Sequence, residues 1–102
     1  MDDSIVPFNP DELREQRVAI LCRILLDARA YNPRYMEDAK KLMDMFTQRR
    51  WKHTLTYSRE REAYLATVTV PLEKNLTLLT CNANPAYAIS LLGAKLADIA
   101  NI

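Results

Sequence analysis

Arg49-Arg50-Trp51-Lys52-His53 is the stretch best supplied for chemistry. Cations beside an indole can track a phosphate backbone and offer a base a stacking surface. Arg59 and Arg61 come next and would join this patch across a hairpin, with Glu60 and Glu62 diluting its charge. The plainer reading is a solvated charged bend in which Trp51 anchors the core. His53 is the sole histidine, so any histidine-dependent triad or metal site must include it. Paired with Cys22 or Cys81 it would supply a nucleophile and its base. No acid stands at a recognisable spacing to orient the imidazole. The single glycine, Gly93, leaves no glycine-rich loop for a phosphate or an oxyanion. These absences point away from an enzyme, a metal site and a cofactor.

The bulk properties bound what such a patch could do. A chain of 102 residues holds one domain. Its 49% hydrophobic and 26% charged residues suit a folded domain and argue against disorder. Lys and Arg number 14 against 13 for Asp and Glu, and a net charge of +1 gives no global attraction to nucleic acid. Cys22 and Cys81 form no CxxC pair, and the expectation is two reduced, packed thiols in the cytoplasm or nucleus. No stretch approaches the roughly 18 apolar residues of a membrane helix. The start, MDDSIVPF, is acidic and lacks the basic n-region of a signal peptide.

The elements that must position these residues carry clear start signals. Asn-Pro occurs at 9–10, 32–33 and 84–85, each time before a helical pattern. Asparagine caps the free amides of a first turn, and proline at the first helical position has no N–H to leave unpaired. Glu12 stands three residues after Asn9, a capping-box spacing. A first helix is expected over 10–30, with Leu13, Ile20, Leu21, Ile24, Leu25 and Ala28 on its buried stripe. A second is expected over 33–48, with Met36, Ala39, Leu42, Met43 and Phe46 inward and Glu37 and Lys41 paired at i, i+4. The period then becomes two. WKHTLTY at 51–57, YLATVTV at 64–70 and LTLLTC at 76–81 read as strands, the first two joined as a hairpin and the second ended by Pro71. The last helix opens at Asn84-Pro85. It is apolar almost all round and holds Gly93, whose cost of about 1 kcal/mol relative to alanine implies close packing of the backbone. That cover would come from the first helix or from another chain.

From Met36 to Ile99 this order of elements resembles a double-stranded-RNA-binding domain. LMDMFTQRRWKHTLTY is similar to that family's first helix, basic bend and first strand. EAYLATVTV is similar to its second strand and NPAYAISLLGAKLADI to its closing helix. The resemblance implies three RNA contacts, and the matching positions lack each of them. The first-helix acid corresponds to the short Asp44. The loop between the first two strands is SRERE, without the family's glycine, proline and histidine. The closing helix has Asn84, Pro85, Ala86 and Ile89 where the family places phosphate-binding lysines. Family members that have lost these contacts serve as protein-binding, often dimerising, modules.

The fold expected is α+β. An N-terminal helical extension (1–31) precedes an α-β-β-β-α core (32–102), whose helices pack on one face of a three-stranded antiparallel sheet. The expected function is a non-catalytic protein-interaction module that self-associates through Leu76, Leu78, Tyr87, Leu91, Ala94 and Lys95. One alternative is binding of double-stranded or structured RNA through Arg49, Arg50, Lys52, Arg59 and Arg61. A second is a small phage or mobile-element protein that inhibits a host factor.

Overall fold

A computed structural model describes residues 10–100. Its elements are α1 (Pro10–Leu26), α2 (Met36–Gln48), β1 (Lys52–Ser58), β2 (Ala63–Val70), β3 (Leu76–Asn82) and α3 (Pro85–Ile99). The fold is α+β, with the three strands in the antiparallel order β1-β2-β3. The register explains the alternation in the sequence. His53 faces Val68, and Val68 faces Leu78; Leu55 faces Ala66, and Ala66 faces Thr80. These residues share the face covered by helices. The opposite face carries threonines. Thr54 pairs with Thr67 and Thr69 with Thr77, and both pairs join hydroxyls across the strands. A face of this polarity can stay open to water, as one side of an antiparallel sheet commonly does.

α2 packs against β1, and α3 packs against β2 and β3. Phe46, Leu42, Val68, Ile89 and Leu92 fill the space between helices and sheet and are fully buried. α1 packs on α3 and touches α2, forming a further layer. The three helices meet at Gly93. A Cβ added there would lie 2.9 Å from Cys22 Sγ of α1 and 2.9 Å from Leu42 Cδ1 of α2. A side chain at this crossing would force Cys22 or Leu42 to move.

Several helix ends depart from expectation. α1 stops at Leu26 because Asp27 takes a left-handed φ of 53°. Ala28 N–H then donates to Arg23 O and Asp27 N–H to Ile24 O, the paired bonds of a Schellman end. α2 ends the same way, with Arg50 at φ 60° and Trp51 N–H donating to Phe46 O. Asn84 caps α3 as expected, its Oδ1 accepting from Ala86 and Tyr87 N–H. Asn32-Pro33 caps no helix. Asn32 Oδ1 accepts from Arg34 N–H in a local turn, and α2 begins three residues after Pro33, at Met36. The capping box at Asn9 lies outside the described residues. Lys41 pairs with Asp38 at 3.2 Å, one turn back, in place of the expected Glu37.

The buried stripe of α1 is also corrected. Val18, Leu21 and Cys22 face inward, with Leu25 half-buried beside them, whereas Leu13, Ile20 and Ile24 are each about half exposed (49%, 48% and 48%). The α1–α3 contact at Gly93 accepts a small side chain, and this selects the Cys22 side of a helix that has apolar residues on two faces.

Gly93→Ala should lower stability by about 1 kcal/mol in urea denaturation. The overpacking cost of about 1–3 kcal/mol outweighs the gain of up to about 1 kcal/mol in helix propensity. Adding Cys22→Ala should weaken the penalty at 93, since Sγ is one of the obstructing atoms. Asp27→Gly should raise stability by about 1 kcal/mol. It removes the left-handed strain of a side chain and an anion from a helix C-terminus.

Candidate functional site

The basic residues do not assemble into one patch. Arg49 caps the C-terminus of α2, and its guanidinium lies 5.4 Å from the centre of the Trp51 ring. Trp51 is half-buried and stacks on Phe46 at 6.2 Å, with His53 tilted against the same phenyl ring at 5.6 Å. The indole is therefore held in the core's edge rather than offered as a free platform. Lys52 projects on the open face of the sheet, opposite Thr69. Arg59 and Arg61 sit in the β1–β2 turn at the far end of β1, a seven-residue strand. At about 3.3 Å per residue they stand roughly 20 Å from Lys52. The hairpin thus separates the cations that it was expected to join.

Neither cysteine is placed to act with His53. His53 faces the helices, and its Nδ1 lies 3.2 Å from Trp51 O. Cys81 pairs in register with Leu65 on the opposite face of the sheet and is exposed, so it is not the packed thiol anticipated. Cys22 is buried between α1 and α3 and donates to Ser90 O at 3.2 Å. Ser90 Oγ lies 2.8 Å from Tyr31 Oη and donates within α3 to Ala86 O. This network ties α1 and the loop after it to α3. Burial pushes the Cys22 thiol up from 9.0 to about 12, against a smaller opposing hydrogen bond from Tyr31. Burial raises the Tyr31 phenol as well. Cys22 is held as a neutral thiol, the reverse of an activated nucleophile.

The α3–β3 surface is rearranged by α1. Ala86, Ala94 and Ala97, which an isolated α3 would turn outward, are buried at 1%, 6% and 0% exposure. Tyr87 and Ala94, expected at a partner interface, are buried within the domain, and the Arg34 guanidinium covers the Tyr87 ring at 4.8 Å. Leu76 and Leu78 face the helices and are half-buried. Leu76 also lines an apolar groove of about 550 Å³ with Trp51, Met45 and Leu96. Of the six residues, Leu91 remains half-buried and Lys95 exposed, with Lys95 Nζ donating to Leu79 O at 3.3 Å. Arg17 of α1 bridges to Asp98 of α3 at 2.6 Å, and Arg34, in the loop before α2, bridges to Glu15 of α1 at 2.8 Å. Both pairs are exposed and orient α1 more than they stabilise it. The apolar surface that α1 withdraws from α3 reappears on its own far side as Leu13, Ile20 and Ile24.

Among the described residues, no cluster of His, Cys, Asp and Glu could hold a metal ion, and no helix is long and apolar enough to cross a membrane. The chain matches no protein-family model, no curated protein and no solved structure with which it was compared.

The Cys22 shift carries a pH signature. A group whose pKa rises on folding stabilises the fold fully below its unfolded value and loses that contribution as pH climbs toward the folded one. Stability should therefore be flat around pH 7 to 8. It should then fall from pH 9 toward about 12, with Cys22 alone contributing about 1.4 kcal/mol per pH unit. In Cys22→Ala the first part of this decline, between about pH 9 and 10, should vanish. The part due to Tyr31 should remain at higher pH. Urea denaturation at stepped alkaline pH reads both.

Proposed function

We propose that this chain is a non-catalytic protein-interaction module that self-associates through the outer face of α1, in the reducing cytoplasm. The observation that carries the reading is the two-sidedness of α1. One side seals α3 with Val18, Leu21 and Cys22. The other presents Leu13, Ile20 and Ile24 to solvent. Separations of seven and four residues place those three side chains on one stripe. Charge favours a second copy as the cover. α1 has Asp11 and Glu12 in its first turn and Arg23 in its last. An antiparallel copy brings the basic end of one helix toward the acidic end of the other, and the helix dipoles also align favourably. The absence of lysines at positions 84, 85, 86 and 89, where the resemblance implies phosphate contacts, agrees with a protein partner, and the separated arginines give RNA no continuous track.

Light scattering across a concentration series tests this. A reversible dimer is expected, and Ile20→Ser with Ile24→Ser should weaken it by about tenfold or more, since each buried aliphatic side chain contributes on the order of 1 kcal/mol or more. A strict monomer at millimolar concentration would sink the reading. So would a dimer unaffected by the double substitution. A gel-shift titration with generic duplex RNA at low salt should show no binding. Micromolar binding that weakens steeply with added salt and is lost in Arg49→Gln with Arg50→Gln would replace self-association by RNA binding.

A further inference from the structure

β3 is an edge strand, and its outer side is partly visible in the hydrogen bonds. Leu79 O accepts from the Lys95 ammonium at 3.3 Å, which reaches it from outside the sheet, where β3 has no neighbouring strand. In an antiparallel strand the N–H and C=O of one residue point the same way and alternate along the chain. Thr77, Leu79 and Cys81 therefore direct both backbone groups away from β2, and all three residues are exposed. Beyond this edge lies a groove of about 440 Å³ between β3, α1 and α3. Its walls carry three cations, Arg14, Arg17 and Lys95, against one carboxylate, Asp98, which Arg17 already engages. Unpaired strand edges are templates for added strands.

We propose that β3 accepts an extended segment of a partner protein as a fourth strand, and that the segment alternates acidic with apolar residues. The alternation follows from the two sides of the sheet. On the helix side the added strand meets Arg14, Arg17 and Lys95, which suit carboxylates. On the open side its neighbour is Leu79, 51% exposed and available to an apolar cross-strand partner. Lys95 leaves Leu79 O as the incoming N–H replaces it, and the ammonium moves to a carboxylate of the partner. A second copy of β3 is a poor occupant. LTLLTCN has no charge, and pairing two copies would set the cationic walls of both grooves against each other. Arg17 lines this groove and lies on the α1 stripe between Leu13 and Ile20, so the two surfaces adjoin, and each is read by its own measurement.

The probe is a blocked peptide of repeating Val-Glu, with repeating Val-Lys as its control, added to the full chain at low salt. Saturable binding of Val-Glu alone is expected, weakening with salt. Amide exchange should slow at Thr77, Leu79 and Cys81, while Leu78 and Thr80, already directed at β2, change little. Arg14→Gln and Lys95→Gln alter exposed side chains and should each weaken binding by about threefold. Absence of saturable binding, equal binding of Val-Lys, or protection confined to residues outside β3 would each overturn the proposal. Light scattering on the same samples reports self-association independently, so failure of one reading leaves the other standing.

Discussion

The whole arrangement hangs on the absence of one side chain. At Gly93 the backbone of α3 comes close enough to α1 and α2 that a methyl group would strike Cys22 and Leu42 at once. Glycine is a poor helix former, and here the loss is offset by the burial that the close approach permits. The small residues around it act in the same way. Ala86, Ala94 and Ala97 let α1 lie close on α3, and Ala88 lets α3 lie close on the sheet. Thr80 fastens that second contact by donating to Ala88 O at 2.6 Å. α3 is thus a central rod covered on most sides and open along Leu91, Lys95 and Asp98, which accounts for its nearly uniform apolarity elsewhere.

From that seam the surface follows. Because α1 covers α3, the apolar side chains that remain in water belong to α1 and to the sheet's margins. The polar network of Cys22, Ser90 and Tyr31 lies in the same seam, and every buried side-chain donor and acceptor among the described residues is satisfied. Such a network fixes orientation more than it adds stability, since each buried hydrogen bond nets only about 1 kcal/mol. The exposed bridges from Arg17 and Arg34 serve the same end from outside.

Local signals in the chain were read correctly where the interaction they encode is itself local. Asn84-Pro85 caps α3, Pro71 follows the last residue of β2, and the period-two runs became β1, β2 and β3 within a residue. Asn32-Pro33 misled because the same dipeptide serves an Asx turn as readily as a cap, and the choice rests on Asn32 N–H donating to Asp38. The end of α1 was unreadable because its left-handed residue is aspartate rather than glycine. The inward face of α1 was misassigned for a different reason. Its two apolar faces are equally plausible in isolation, and only the approach of Cys22 to Gly93, 71 positions away in the sequence, decides between them. The packing of α1 on α3 also buries Tyr87 and Ala94 within the domain, which the sequence of α3 alone does not reveal.

The two cysteines make the seam observable in time. Cys81 stands on the open face of the sheet, while Cys22, on the inner side of α1, lies at 0% exposure against α3. A thiol reagent at neutral pH meets one sulfur in the intact domain and a second only during the intervals when α1 lifts from α3. The slow labelling phase then measures how often that happens, against the global unfolding rate as its lower limit. The chain carries its own clock for the opening of its outermost layer.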